Sequence, residues 1–515
     1  MTTNAAPPPA ANGLTVADLL TVLRPFCPVL YGSDAVRVMG VQQDSRRVEF
    51  GDLFVARTGS HADGRQFIET ALHRGAAAVL VDRGGDELPG VHAPVICVTD
   101  ARRAAAFAAE AVLGHPSQQL SLVGITGTNG KTTTVALVER GLAAAGAKPA
   151  RLGTTGFAFE GTEHESNLTT PEADQISRYI AQVVRQGGSH FVMEASSHAL
   201  DQGRVDALRF DVVAFTNLTQ DHLDHHGDMG AYEAAKLRLF TELAPGTAVI
   251  NVDDPAGQRF ATVARAREVI RVGRSSACDL CAAHVTLSEQ GIVGELRVQG
   301  RSMNLETRLV GEHNLENILV ATGVLQALGV DLHLAVRGFA GGFTVPGRLE
   351  RCDSPIDDVI VLVDYAHTPD ALERVLQAVR KFAKGSIHCV FGCGGDRDPK
   401  KRPLMGQAVG RWADRATVTN DNPRTEAPEA IASAIEPGLR ESANLRYDVL
   451  LDRRAAIQAA VLAAHPGDTV VIAGKGHENY QIIGTVKRPF DDREEARVAL
   501  AIRRNATAQT TGARG

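Results

Sequence analysis

Residues 126–133 read Thr126-Gly-Thr-Asn-Gly-Lys-Thr-Thr133, between an apolar run at 120–126 and a helical stretch starting at Lys131. Gly127 and Gly130 let the backbone N–H groups of Thr128, Asn129 and their neighbours close around phosphate oxygens. The start of the helix at Lys131, Thr132 and Thr133 adds partial positive charge. Lys131 would reach the terminal phosphates, and the Thr132 hydroxyl would ligate Mg²⁺. The spacing departs from G-x-x-x-x-G-K-[ST], because position 125 is Ile and the first glycine comes at 127. The chemistry expected is ATP binding.

Acidic and histidine groups follow. Glu194 ends an apolar run in Met-Glu-Ala-Ser-Ser-His198, where parallel sheets place ligand-binding side chains. Asn217-Leu-Thr-Gln-Asp-His-Leu-Asp-His-His-Gly227 follows another such run. Mg²⁺ takes oxygen ligands, so this loop taken alone suggests a transition metal instead. His225 and His226 read equally well as exposed loop polarity and are left out of the site. Lys236, taken alone, is an ordinary solvated helix lysine. Asp421-Asn-Pro-Arg424, taken alone, reads as a turn with a helix N-cap.

These groups need elements that bring strand ends together. Short β-like runs at 52–56, 77–81 and 94–98, with an Ala-rich helical stretch at 102–113, make a first block ending near Gln118. A second block has apolar strands at 120–126, 190–194, 212–217 and 247–252, a β-rich stretch at 268–309 and a helix at 314–327. A third, from about Pro346, has strands at 359–364, 387–391, 416–419 and 469–473, with helices at 369–384 and 427–436. Alternating β and α of this kind predicts an α/β protein with largely parallel sheets. At roughly 150 residues per domain, 515 residues suggest three domains, drawn at 1–118, 119–345 and 346–515.

Composition narrows the class. With 44% hydrophobic and 22% charged residues, wholesale disorder is excluded. A net charge of −6 argues against nucleic acid as a partner. Seven scattered cysteines form no disulfide framework and suit a reducing cytosol, and Cys278 and Cys281 lack a second Cys/His pair for zinc. Residues 1–13 read as a disordered Ala/Pro-rich leader, and the tail after about Arg504 also as disordered. No apolar run approaches the roughly 20 residues of a membrane span, so a soluble cytoplasmic protein is expected, monomeric by default.

The shortened phosphate loop resembles that of the Mur ligase family, the ATP-dependent amide ligases that build the peptidoglycan stem peptide. The resemblance runs from about residue 44 to 490, with several motifs in the family's order. It implies a small α/β domain for the uridine diphosphate, a central P-loop ATPase domain with a mostly parallel sheet, and a C-terminal Rossmann-like domain. Glu194 and His222 correspond to Mg²⁺ ligands. Lys236 corresponds to a lysine carbamylated by CO₂ (N6-carboxylysine), whose anionic oxygens can hold a second Mg²⁺ where an ammonium would repel it.

Leu168-Thr-Thr-Pro171 resembles the loop that grips the muramoyl peptide, through Thr169 and Thr170; their local alternative is an N-cap before Pro171. Ser196, Gln202 and Arg204 match further contacts to UDP-MurNAc-L-Ala-D-Glu. Ser45 and Arg46 would meet the nucleotide, with a loop through His61-Ala-Asp-Gly-Arg65 beside them. Asn314 in Gly311-Glu-His-Asn314 corresponds to an adenine contact, Arg348 to a γ-phosphate contact and Asp364 to a nucleotide contact. Lys131 lies in the second block and Arg348 in the third, so the site is expected to assemble when domains close.

Asp421-Asn-Pro-Arg424, with Asn422 and Pro423 at its centre, matches the signature of members that select meso-diaminopimelate. Arg424 would hold the distal carboxylate through paired hydrogen bonds that lysine cannot make. Arg397, Gly474 and Glu478 match the remaining contacts. The implied reaction passes through an acyl phosphate. The rival readings are a lysine-adding or folate-polyglutamating ligase of the same superfamily, and a P-loop ATPase switch that forms no bond.

Overall fold

The computed structural model describes residues 13–59, 63–84, 91–166, 168–243, 246–340, 344–442 and 445–512, with side chains to residue 506. Residues 1–12 of the leader expected at 1–13, and the pair His61-Ala62, lie outside the described residues.

Three large sheets carry the chain. The first has five strands in the order Val29–Tyr31, Val95–Val98, Ala78–Asp82, Asp52–Ala56, Gly40–Gln42, parallel except for the outermost Val29–Tyr31. The second has eleven. Its parallel centre runs Pro149–Gly153, His190–Glu194, Ser121–Thr126, Val212–Phe215, Thr247–Asn251, Glu268–Gly273, Leu280–Ser288, and antiparallel strands flank both ends. The third has six, with Ile360–Asp364, Thr469–Ala473, Ile387–Phe391, Arg415–Val418 and Arg446–Val449 parallel.

The apolar strands are covered on both faces, as parallel strands require. In Ser121–Thr126, Val123 and Ile125 face one core with the helices Lys131–Ala144 and Glu312–Ala327, while Leu122 faces the other with Ala173–Arg185. The third sheet divides likewise. Leu362, Cys389, Phe391 and Val471 face one side; Val361, Val363, Val390 and Val470 face the helices Arg453–Ala463 and Asp492–Gly512. Ser121–Thr126 is flanked by His190–Glu194 and Val212–Phe215, so Gly127, Ala195 and Thr216 leave adjacent strands together, the usual ligand position in such sheets.

The structure alters the expected helix ends. Asp492–Gly512 is one helix, extending past Arg504 where the sequence suggests an irregular tail. The helix expected to stop at 436 runs to Arg440 through Pro437. Buried Ile435 and Leu439, and the approach of Gly438 to the Pro403 carbonyl, outweigh the hydrogen bond that proline cannot make. The helix expected to reach 384 stops at Arg380. Among the described residues no helix is long and apolar enough to cross a membrane.

One buried ion pair fixes the third sheet's carboxyl end. Arg453 and Asp492, both fully buried, pair through two 2.7 Å bonds, and Arg453 also donates to the carbonyls of Ala473 and Asn420, beside Gly474 and Asp421. Asp492→Ala leaves that guanidinium buried without a counter-charge. The expected loss is about 3–5 kcal/mol of unfolding free energy in urea titration; a change under 1 kcal/mol, about the value of a surface pair, would contradict it.

Candidate active site

The phosphate-loop sequence forms the strand–turn–helix expected, with Gly127 at φ 147° and Gly130 at φ 86°. Both glycines are needed for space as well as angle. A Cβ on Gly127 would lie 1.9 Å from Thr216 Oγ1, and one on Gly130 would lie 2.1 Å from Asn317 Oδ1. The loop is pinned from the neighbouring strand end: Thr128 N–H donates to the Asn217 carbonyl at 2.8 Å and Asn129 N–H to Asn217 Oδ1 at 2.9 Å. Thr133 is buried in the first helical turn.

Glu194, 1% exposed, is the centre of the cluster. It accepts from the Thr132 hydroxyl at 2.9 Å, from Thr154 N–H at 2.8 Å and from the Thr154 hydroxyl at 3.1 Å. Lys131 Nζ donates to the Gly127 and Thr128 carbonyls at 2.9 and 2.8 Å. Lys236 is not the solvated lysine its local sequence suggests. It is 1% exposed, donates to the Gly127 carbonyl at 2.9 Å and lies over the Tyr232 ring. Burial, and then the nearby Lys131, push its pKa well below the ordinary lysine value; burial also lowers that of Lys131.

His222, with φ 53°, opens the short helix Leu223–His226. Its ring meets that of His198 edge-on at 4.7 Å, and burial lowers its pKa. His225 bonds Asp201 and His226 bonds Ser197, each at 3.0 Å, around a His198 lowered to about 4 by burial and neighbouring histidines. Among the described residues, no group of three His, Cys, Asp or Glu side chains is disposed to hold a metal ion. Thr132 and Glu194 do present hydroxyl and carboxylate oxygens together, the donor type a hard cation takes.

The third sheet already meets the second here. Arg348 Nη2 donates to Thr132 Oγ1 at 3.0 Å, with its guanidinium over the Tyr365 ring at 4.5 Å. Asn129 donates to Asp370 at 3.1 Å, and His477 Nε2 donates to the Thr154 carbonyl at 3.2 Å. Asp364 accepts the N–H groups of Leu349 and Ala366 at 2.7 Å each; burial raises its pKa against the opposing effect of Arg348. A cavity of about 80 Å³ collects Asn129, Gly130, Thr132, Thr133, Asn314, Arg348 and Asp364. Asn314 donates to the Val310 carbonyl at 2.8 Å and accepts from Asn317 at 3.1 Å.

A cleft of about 1200 Å³ adjoins it. Its lining takes Thr169, Thr170, Ser196, Arg204 and His222 from the second block and Arg397, Asp421, Asn422, Arg424, Gly474 and Glu478 from the third. Thr170 is no N-cap. Its hydroxyl donates to the Glu194 carbonyl at 2.8 Å, and the cap of the following helix is Glu172. Thr169 meets the Thr154 hydroxyl at 3.2 Å, and Arg204 donates to the Thr170 carbonyl at 2.6 Å and to Gln202. Ser196 caps the next short helix. Gln202 is behind Arg204, outside the cleft lining, and Ser45 and Arg46 do not line it either; Arg46 pairs with Asp44 at 2.8 Å.

Asp421–Arg424 is not an N-cap, because the next helix is capped by Ala427 without a side-chain bond. Arg424, at φ 51°, donates to the Gly395 carbonyl at 2.7 Å, and a Cβ on Gly394 would lie 3.0 Å from its Nη1. Pro423 turns its carbonyl toward the Glu426 N–H. Sequence reasoning missed Thr154, Tyr232, Tyr365, Lys475 and His477. Of these, Tyr365, Lys475 and His477 adjoin Asp364, Gly474 and Glu478 in the sequence and Tyr232 lies one helical turn before Lys236, whereas nothing local marks Thr154.

A phosphate-loop sheet facing a second parallel sheet across a polar cleft defines a multi-domain nucleotide-binding α/β protein. The chain belongs to the Mur ligase family. Residues 37–115 match the Mur ligase family catalytic domain, 125–325 the Mur ligase middle domain and 347–476 the Mur ligase glutamate ligase domain. It is 46% identical over 477 residues to the UDP-N-acetylmuramoyl-L-alanyl-D-glutamate–2,6-diaminopimelate ligase of Synechococcus elongatus, covering 91% of this chain and 95% of that one. The enzyme of the same name from Geobacter metallireducens is 45% identical over 509 residues, covering 95% and 98%. A solved structure of a ligase of that name superposes with a TM-score of 0.66 at 33% identity, covering 96% of this chain and 99% of that one. A MurF ligase from Thermotoga maritima in complex with ADP shares the fold, with a TM-score of 0.62 at 19% identity, covering 90% and 97%.

Two outcomes test this geometry. Gly130→Ala forces a side chain against Asn317 at a left-handed backbone position, so ATP affinity measured by calorimetric titration is expected to fall at least about tenfold. Unchanged affinity would show that the loop does not hold nucleotide. Lys236 has a folded-state pKa below its ordinary 10.5, so the unfolded chain binds the extra proton and the penalty is present below that value and vanishes above it. In CO₂-free buffer, Lys236→Met is therefore expected to melt above the parent at pH 7, with the gap narrowing toward pH 10.5. A pH-independent gap would refute the desolvated amine.

Proposed function

We propose that this protein is an ATP-dependent, ADP-forming amide ligase. It joins meso-diaminopimelate to the D-glutamyl carboxyl of UDP-MurNAc-L-Ala-D-Glu during cytoplasmic peptidoglycan precursor synthesis. One observation carries the reading: Arg348 bonds the phosphate-loop Thr132 beside a single cleft that runs from Thr170 and Arg204 to Arg424 and Glu478. The names of the relatives above support the same substrates.

The three sheets correspond to domains at 1–118, 119–345 and 346–515, acting in a monomer. Residues 127–133, Asn314, Arg348 and Asp364 bind ATP. Ser45, Arg46, Thr169, Thr170, Ser196, Gln202 and Arg204 bind the muramoyl dipeptide. Arg397, residues 421–424, Gly474 and Glu478 bind diaminopimelate. Thr132, Glu194, His222 and a carbamylated Lys236 would hold two Mg²⁺ ions, which supply charge neutralisation at the phosphates. A desolvated lysine favours the neutral amine, the form that attacks CO₂. The N–C bond forms as one C=O π bond of CO₂ opens, the nitrogen gives up one proton, and the neutral amine becomes an anionic carbamate.

In the reaction the glutamyl carboxylate oxygen attacks the γ-phosphorus, and the bond to ADP breaks. The diaminopimelate amine then attacks the acyl carbon, and the tetrahedral intermediate expels phosphate while the amine proton is released. Lys131 and Arg348 offset the charge as two anions meet, and the two walls of the cleft hold the reactants in line.

Phosphate release with ATP, Mg²⁺ and UDP-MurNAc-L-Ala-D-Glu is expected with meso-diaminopimelate and not with L-lysine; turnover with lysine alone would refute the pocket assignment. Arg424→Ala removes charged hydrogen bonds worth roughly 1.5–3 kcal/mol each. Its kcat/KM for diaminopimelate is expected to fall at least about tenfold with the KM for ATP unchanged, and parent-like kinetics would end the specificity argument.

A further inference from the structure

Lys475 is completely buried, and none of the roles assigned above uses it. It follows the strand Thr469–Ala473 and Gly474, and its Nζ meets three residues of the amino-acid pocket. It donates to Asn422 Oδ1 at 3.2 Å and to Glu478 Oε2 at 3.0 Å, and lies 3.7 Å from Asp421 Oδ1. That Asp421 oxygen is buried and makes no hydrogen bond. Asn422 is held in turn, donating to Glu478 Oε2 at 3.0 Å and accepting the Ile482 N–H at 2.9 Å.

Two carboxylates and one ammonium leave this corner with a single negative charge. The arginine side of the same pocket, Arg424 with Arg397 nearby, is positive. An amino acid presents the opposite pattern, one ammonium and one carboxylate on the same carbon. A buried ammonium is costly unless paired, so its position between Asp421 and Glu478 also holds those carboxylates in place. We propose that Lys475 is a positioning residue that sets the charge of the amino-acid pocket. It holds Glu478 and Asn422 in register and neutralises one of two carboxylates, so that the corner receives a single substrate ammonium. The inference rests on the amino-acid pocket proposed above.

Charged groups around this corner include Arg424, the Arg453–Asp492 pair behind the strand, Lys487, which covers the Tyr480 ring beside Lys475, and, further out, Arg348, Lys401, Arg402 and Glu165. Tyr365, His367 and Cys393 face it from the neighbouring strand ends. Burial raises the first, lowers the second and pushes the third up to about 12, so each shift favours the neutral form of its group. In a variant without the ammonium, Asp421 and Glu478 face each other unbalanced, and one of them retains a proton more readily. The protonated form cannot pair with the substrate ammonium.

The test measures acceptor-dependent phosphate release by the full chain, parent against Lys475→Met, from pH 6 to pH 9. The KM for meso-diaminopimelate is expected to rise at least about tenfold at pH 6.5, with the ratio to parent shrinking as pH rises. The KM for ATP stays within about twofold. Adding Glu478→Gln to Lys475→Met removes the second carboxylate and is expected to abolish the excess pH dependence. A diaminopimelate KM within about twofold of parent, or a rise that is flat with pH, overturns the proposal. Should Lys475→Met lose its folded circular dichroism, Lys475→Gln, neutral but still a hydrogen-bond donor, carries the same expectations. If the parent itself shows no diaminopimelate-dependent release, the ligase reading falls, and this one with it.

Discussion

The buried carboxylate of Glu194 organises the centre of the molecule. A charged group with 1% exposure is tolerated only where donors surround it, and here three converge from two directions. Thr132 reaches it from the first turn of the phosphate-loop helix, and Thr154 from the turn between Gly153 and Gly156. The same cluster sets the dipeptide side of the cleft, because Thr154 meets Thr169 and the Glu194 carbonyl takes the Thr170 hydroxyl. Satisfying one acid thus ties the phosphate loop, a strand end and a substrate loop into one rigid unit.

The third sheet attaches to that unit through a few polar contacts. Arg348 on Thr132, Asp370 on Asn129 and His477 on the Thr154 carbonyl all cross the boundary. Few buried apolar side chains join them; Val310 is one that packs with the third sheet's core. Polar contacts of this kind are typical of boundaries between domains and exchange readily with water. Arg348 and Asp364 lie in the cavity lined by Gly130, Thr132 and Asn314.

Electrostatics divides the cleft. Around the phosphate loop two amines, Lys131 and Lys236, share the Gly127 carbonyl and are both desolvated, which disfavours holding two positive charges at once. In the third sheet, Arg453 and Asp492 form a closed pair that keeps the strand ends still, while the groups next to them face the cleft. Rigid support lies behind the sheet and adjustable charge in front of it, a division that suits chemistry in which two anions must meet and one bond must be made dry.

The sequence by itself determined the phosphate loop, its strand and helix, most of the parallel strands and the family motifs. Each of these is local: glycines at fixed spacing, continuous apolar runs, or short polar strings at strand ends. Helix ends were less legible, since the passage through Pro437 depends on Leu439 finding a core and Gly438 meeting the Pro403 backbone. The burial of Lys236, the bridging role of Thr154 and the buried Lys475 were decided only by tertiary structure. A side chain's solvation and partners depend on what packs against it from elsewhere in the chain. A lysine on a helix or a threonine in a turn carries no local mark of either.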